Sequence, residues 1–232
     1  MSTTFEFLVF SLGPAVVLMA LVYRQDKVEK EPLNYLFRLI LAGVLSGILT
    51  IFLGQLPELI VSSFKSINDP SYPIYRAFFA VALVEEGTKF YLLKKASWHN
   101  LEFNYRFDGI VYAVAVSLGF ASLENVLYIY QFGLGIALGR ALMSIPGHLC
   151  FGILMGFYYG LAKFRERRGL SYRYALGLSV LVPIFLHGFY DAILMLNQQS
   201  LMPIFYGFIV LLFSGSYFLL KYESKHDQRI SY

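Results

Sequence analysis

The chain has 232 residues, of which 57% are hydrophobic and 15% are charged, and its net charge at pH 7 is +4. Soluble domains carry about 25% charged residues, so this composition excludes an ordinary soluble domain and predicts an integral membrane protein. The single cysteine, Cys150, excludes an intramolecular disulfide and a cysteine-based metal cluster. The net charge does not call for a nucleic-acid partner, because basic loop residues of membrane proteins set orientation and contact the lipid bilayer.

Seven apolar segments, each near the ~20 residues that a helix needs to cross a bilayer, predict an all-α polytopic transmembrane bundle. We expect it to form a single membrane-embedded domain over residues 1–232. The first segment is interpreted as a retained span rather than a cleaved signal, because no basic stretch precedes it. The segment 57–72 contains Pro57 and Pro70 and is interpreted as a loop. The seven predicted spans cover residues 5–23, 33–56, 73–95, 108–130, 133–163, 173–197 and 202–221.

The basic residues of the connecting segments alternate in number along the chain. From the first loop to the C-terminal tail, Lys and Arg number 3, 1, 3, 0, 5, 0 and 3. Cytoplasmic loops are enriched in Lys and Arg. The pattern therefore predicts an N-terminus outside the cell and a C-terminus in the cytoplasm.

Ionisable side chains interrupt four of the predicted spans, where hydrocarbon makes a charge costly unless it has a function and a partner. Glu85 and Lys89 are four residues apart, as are His187 and Asp191, so each pair shares a helix face. In chain order, the polar residues within the spans are Glu85, Glu86, Lys89, Glu124, Asn125, Arg140, His148, His187 and Asp191.

These groups are predicted to lie at a common depth. With a rise of ~1.5 Å per residue, Glu85, Glu124, His148 and His187 all fall between the midplane and the outer membrane surface. Four helices thus bring ionisable groups to one level, which favours a functional site. Each group also has a structural interpretation: Lys89 as the partner of Glu85 in a buried ion pair, and a lone histidine as a packing residue.

The charges of this predicted site do not balance. Four ionised carboxylates would carry −4 and the two cations +2, so protonation or a bound cation must supply the rest. Two histidines with one glutamate form a ligand set of catalytic zinc, whereas protonated carboxylates would neutralise the site equally well. Asn125 is interpreted as a helix-to-helix hydrogen-bonding residue and Arg140 as either an interfacial cation or a substrate contact.

Four motifs in this order resemble the PrsW family of intramembrane proteases, distant relatives of the CAAX-prenyl and bacteriocin-processing membrane proteases. They are E-E-x-x-K at Glu85 to Lys89, F-x-x-x-E at Phe120 to Glu124, the isolated His148, and H-x-x-x-D at His187 to Asp191. The resemblance covers most of the chain, from Asp26 through the sixth span. It implies a multi-pass protein of a bacterial cell membrane that cleaves a membrane-anchored, anti-sigma-factor-like protein on its outer side.

The resemblance leads to a working hypothesis for the site. Glu124, His148 and His187 hold a divalent metal, expected to be zinc, and Asp191 supports His187 or reaches the metal. Glu85 or Glu86 is the general base, with Glu85 favoured. Lys89 holds the glutamate pair, while Arg140, with Asn125 beside it, contacts the oxyanion or substrate.

Three alternatives remain open from the sequence. A glutamate and a histidine could activate water without metal. Intramembrane Glu, Lys, His and Asp also form the proton or ion pathways of transporters, although no inverted repeat is evident. The polar cluster could instead grip partner helices in a non-enzymatic chaperone or sensor.

Overall fold

The computed structural model describes residues 3–230, which form helices joined by short loops. We number the helices α1 (Thr3–Gln25), α2 (Leu33–Leu53), α3 (Gln55–Phe64), α4 (72–97), α5 (Asp108–Phe132), α6 (Leu134–Arg167), α7 (Arg173–Leu196) and α8 (Met202–Lys225). Within the described part of the chain, β-structure is limited to one isolated bridge between Tyr105 and Arg229. The all-α bundle that the composition predicts is therefore confirmed.

Six of the described helices are long and apolar enough to cross a membrane. With α2 and α3 taken together as Leu33–Phe64, they cover every predicted span except the third, and two span ends differ by one residue. That span lies in α4, which is long enough to cross a membrane. Its charged residues, including Glu85, Glu86 and Lys89, lower its mean hydropathy. The feature that makes α4 a poor membrane helix by composition is thus the one that makes it a candidate functional element.

About half of one predicted loop is helical. Residues 57–64 of the segment 57–72 belong to α3, which follows α2 after Gly54. The loop prediction was wrong there because Pro57 lies in the first turn of α3, where a missing backbone N–H breaks no helical hydrogen bond. The long fifth span is confirmed as continuous helical structure over Leu134–Arg167.

The centre of the bundle is α5, whose residues 108–121 are all buried. A helix that is apolar on every side belongs inside a bundle, and α5 packs against α1, α2 and α6. Its contact with α6 is close because Gly109 faces Gly156 and Gly160. A Cβ atom at Gly156 would collide with the backbone of Ile110 and Gly109, so small residues set this helix spacing.

Two helices that carry the motifs contain π-helical turns directly before them. These turns are Arg76–Ala82 in α4 and Arg140–Ser144 in α6. In α6 the wide turn precedes Pro146, which cannot donate a helical hydrogen bond. Such turns are frequent at functional sites, and here they directly precede the helical segments that carry Glu85 and His148.

Candidate active site

The motif residues from four helices converge on one cavity of about 440 Å³. Its wall includes Glu85 from α4, Glu124 from α5, His148 from α6, and His187 and Asp191 from α7. The rings of His148 and His187 are 5.4 Å apart, centroid to centroid. The sequence-based expectation that these groups share one site thus agrees with the geometry.

The adjacent residues Glu85 and Glu86 have different surroundings. Neighbouring residues on a helix point ~100° apart, and only Glu85 lines the cavity. Glu86 is fully buried, and its Oε1 accepts hydrogen bonds from Lys89 Nζ at 2.7 Å and from His187 Nδ1 at 2.9 Å. Glu86 therefore holds two neighbours in place, while Glu85 faces the space that a substrate would enter.

Lys89 provides the buried positive charge of the site. Its ammonium group lies 2.7 Å from Glu86 Oε1, 3.6 Å from Glu85 Oε2 and 3.2 Å from His148 Nδ1. It also lies 3.9 Å from the centre of the Phe120 ring, at a distance suited to a cation–π contact. Burial of two carboxylates without this cation would be costly.

The contacts of His148 determine which of its nitrogens carries the proton. An ammonium group can only donate, so Nδ1 of His148 accepts from Lys89. The proton therefore sits on Nε2, which donates to Glu124 Oε2 at 3.0 Å. Both ring nitrogens are occupied, and neither offers a free lone pair.

His187 is placed differently. Its Nδ1 donates to Glu86, which leaves Nε2 directed toward Asp191 Oδ2 at 3.3 Å and Glu85 Oε2 at 3.9 Å. The Phe151 ring stacks on the imidazole with centroids 4.8 Å apart and planes 19° apart. Sequence reasoning missed Phe151, although it lies three residues after His148 on the same helix face.

Arg140 and Asn125 form the outer support of Glu124. Arg140 donates from Nη2 to Glu124 Oε2 at 2.7 Å and from Nε to Asn125 Oδ1 at 2.8 Å. Asn125 donates in turn to the backbone oxygens of Phe10 and Ser11 in α1. Arg140 lines the cavity but Asn125 does not, so Asn125 connects helices and positions Arg140.

A second arginine at the cavity was also missed. Arg76 lines the cavity, and its Nε donates to Glu58 of α3 at 3.0 Å. The same carboxylate accepts a hydrogen bond from the Tyr72 hydroxyl at 2.8 Å. This contact was not predicted, because Glu58 lies in the helical part of the segment 57–72, which the sequence analysis interpreted as a loop.

The residues of the site fit a divalent metal. Over residues 3–230, the group of Glu85, Glu86 and His187 is the one whose ligand atoms lie close enough to hold an ion, all within 4.8 Å of one another. The Oε2 atoms of both glutamates are buried without a hydrogen-bond partner. Carboxylate oxygen and imidazole nitrogen are ordinary zinc ligands. Of the predicted ligands Glu124, His148, His187 and Asp191, only His187 belongs to this group.

The fold and site define a membrane-embedded hydrolytic enzyme: a bundle of membrane-length helices around a polar cavity that holds paired carboxylates and histidines. A family model described as "PrsW family intramembrane metalloprotease" matches residues 31–218. The chain belongs to this family and is a peptidase of a bacterial membrane. The family assignment from the four motifs is thereby confirmed, and it favours a protease over a transporter or a chaperone.

Several curated relatives support the same assignment, each of them named Protease PrsW. The protein of Geobacillus kaustophilus is 38% identical over 197 residues, which cover 84% of this chain and 82% of the relative. That of Halalkalibacterium halodurans is 32% identical, covering 90% and 92%, and that of Bacillus subtilis 33% identical, covering 79% and 80%. No solved structure gives a significant match.

Proposed function

We propose that this protease cleaves a membrane-anchored regulatory protein of the anti-sigma-factor type, at a peptide bond near the outer membrane surface. The observation that carries the proposal is the buried Oε2 of Glu85, which has no hydrogen-bond partner and lies beside His187 in a polar cavity between membrane-length helices. The alternation of basic loops supports an outward-facing site. The anti-sigma type of the substrate is what the resemblance to the PrsW family implies.

Glu85 is assigned as the general base. It faces the cavity and has a free oxygen, so it can take a proton from water and pass it to the leaving amine. Glu86 is assigned as the residue that positions His187 and Lys89. This division follows the expectation that only one member of an adjacent pair can aim at the water.

The metal, proposed to be zinc, would be held by Glu86, by His187 and by one oxygen of the Glu85 carboxylate, which leaves the other Glu85 oxygen to act as the base. When bound, it would supply Lewis acidity toward the water and the scissile carbonyl. This ligand set differs from the one that the sequence suggested, because both nitrogens of His148 are engaged and Glu124 is held by Arg140. A carboxylate on one nitrogen of His187, as Glu86 provides, is the usual support for a metal-binding histidine.

The Glu124–His148 pair forms the opposite side of the site. Arg140 fixes Glu124, and Glu124 fixes the His148 ring. Arg140 lines the cavity and brings positive charge to it, which suits the stabilisation of a developing oxyanion. Asp191 lies next to Nε2 of His187 and keeps the imidazole directed at the cavity.

The test is cleavage of candidate membrane-anchored anti-sigma factors co-expressed with the wild type, Glu85→Gln, Glu86→Gln or His187→Ala. We expect an outer-side cut with the wild type and its loss in all three variants. Glu29→Gln, a change to an exposed loop carboxylate, is the control and should cut normally. Cleavage that persists in all three site variants would contradict the proposed role of this site.

The zinc assignment has a separate test. Purified protein should contain about one zinc ion per chain, lose activity in a chelator, and regain it when zinc is restored. Metal-free protein with full activity would remove zinc from the mechanism and leave glutamate-activated water as its chemistry.

The orientation is tested with two variants, each of which carries a single engineered thiol. In a Cys150→Ser background, Asn68→Cys should react with a membrane-impermeant thiol reagent applied to intact cells. Arg168→Cys should react only after the cells are opened. The reverse pattern would invert the predicted topology.

A further inference from the structure

A second opening reaches Glu85 from the side of the bundle. This pocket, of about 190 Å³, lies between α2 and α5 and shares Glu85, Glu124 and Tyr128 with the main cavity. The two spaces therefore share the wall residues that the proposed function places at the scissile bond. One is lined with charged side chains, whereas the other is mostly apolar.

The walls of this lateral pocket are aliphatic and aromatic. Apart from the residues shared with the cavity and Thr50, its lining consists of Gly47, Ile51, Phe120, Leu123 and Leu127. Ile51 is 51% exposed and Leu127 is 42% exposed, and both lie on membrane-length helices. The mouth of the pocket therefore opens toward the lipid tails.

The size of the pocket limits what can enter it. A pocket of about 190 Å³ has room for a single large side chain. A helix with its side chains is about 10–12 Å wide, so we take the substrate segment that reaches Glu85 through this opening to be locally unwound.

The absence of a side chain at Gly47 keeps the pocket open. A Cβ atom at this position would lie 2.9 Å from Cδ2 of Leu123, so any larger residue would push into the pocket. One turn further along α2, Thr50 donates to Thr88 at 2.9 Å, and Thr88 donates to the backbone oxygen of Glu85. The wall that faces lipid is thus joined by hydrogen bonds to the turn that carries the proposed base.

We propose that this pocket is the subsite that binds an aliphatic side chain next to the scissile bond of the membrane-anchored substrate, entering from the lipid side. The inference rests on the proposed function and adds a preference for Leu-like residues at the cut. Its occupant is the unwound outer end of the substrate's transmembrane segment. The residues that the pocket shares with the polar cavity support this choice, because Glu85 borders both spaces and can be approached by water from one and by substrate from the other.

The test uses single-span membrane proteins that differ only in one residue at the outer end of the span: Ala, Leu or Phe. Purified protease is reconstituted with them in liposomes, and mass spectrometry locates the cuts. We expect the wild type to cleave the Leu substrate fastest. Ile51→Trp narrows the pocket and should lower the ratio of Leu to Ala cleavage about tenfold, as expected for a pocket that loses room for a few methylenes. Leu127→Ala should shift cleavage toward Phe.

The control is Ile48→Trp, on the same helix and also facing lipid but outside the pocket. It should leave the Leu-to-Ala ratio unchanged. Equal ratios in the wild type, Ile51→Trp and Leu127→Ala would overturn the subsite while leaving the protease function intact.

Binding is measured separately from cleavage. In the Glu85→Gln background, a photoreactive benzophenone amino acid in place of Ile51 should cross-link the Leu-containing substrate, and one in place of Ile48 should not. Equal cross-linking from both positions would contradict the subsite. Selective cross-linking from position 51, without any cleavage by the wild type, would retain the subsite and contradict the proposed protease role of Glu85.

Discussion

Within residues 3–230, two regions bury several carboxylates, and one of them has the features of an active site. The first is the cavity around Glu85. The second lies at the other end of α5, where Asp26 and Glu31 are 2% and 4% exposed and lie near Asp108 at the start of α5. Burial of acidic groups is therefore not by itself a sign of catalysis in this protein.

The difference between the regions lies in their counter-charges and their space. At the active site Lys89 and Arg140 contact the carboxylates directly, and a cavity borders them. At the second region burial raises the pKa of Asp26 to about 6 and that of Glu31 to about 7. The first set thus has direct cationic partners and a space for substrate, whereas protonation suits the second set to a structural role.

The largest expected effect separates the two regions by activity. Glu85→Gln should lower kcat by about 10²–10⁴-fold, since it removes the general base. Glu31→Gln, the matching change at the second region, should leave kcat within about twofold. Initial rates of substrate cleavage in liposomes measure kcat for both variants. A comparable loss of kcat in Glu31→Gln would contradict the functional difference between the two regions.

Removal of the buried cation should reveal the electrostatic design of the active site. Lys89→Met leaves Glu86 and Glu85 without their cation, and breaking a buried pair costs about 3–5 kcal/mol. We expect a clearly lower unfolding midpoint by circular dichroism in detergent, together with loss of activity. Lys95→Met alters an exposed lysine of the same helix and should change neither; an unchanged midpoint in Lys89→Met would show that its charge is dispensable.

A smaller loss is expected from the support around Glu124. Arg140→Gln removes the donor that fixes Glu124 Oε2, and changes to such supporting groups typically lower activity about 10–100-fold. The effect should appear mainly in kcat, with the protein folded normally. Arg38→Gln, in an exposed position on α2, serves as the comparison. Normal turnover in Arg140→Gln would contradict a role of Arg140 in catalysis.

The smallest effect concerns pH and the second region. The raised pKa values of Asp26 and Glu31 mean that the folded state binds their protons more tightly than the unfolded state does. Their stabilising contribution is present below about pH 4 and is lost as pH rises through 6 to 7. The unfolding midpoint should fall by several degrees over this range, since 1 kcal/mol corresponds to about 2–4 °C in chains of this length.

Glu31→Gln mimics the protonated carboxyl, so its midpoint should fall less between pH 5 and pH 8. Glu29→Gln, on the same loop but exposed, should follow the wild type. A midpoint that rises with pH in the wild type would contradict the structural role assigned to the second region.

The sequence by itself determined the membrane class, nearly all helices, the family, and the residues that converge at the site. It could do so because a charge in an apolar span is rare and costly enough to mark a function, and because helical spacing places Glu85 with Lys89 and His187 with Asp191. It missed α3, since Pro57 at the start of a helix resembles a loop residue. The predicted topology and the single domain stay predictions.

Only the tertiary structure decided which groups contact one another across helices. Adjacent Glu85 and Glu86 are equivalent in a motif, but the rotation of α4 turns one into the cavity and buries the other against His187. Likewise, the engagement of both nitrogens of His148 depends on where Lys89 and Glu124 meet it. Such contacts depend on how each helix is rotated and on how closely helices approach at residues such as Gly156. The periodicity of a single segment predicts neither of these.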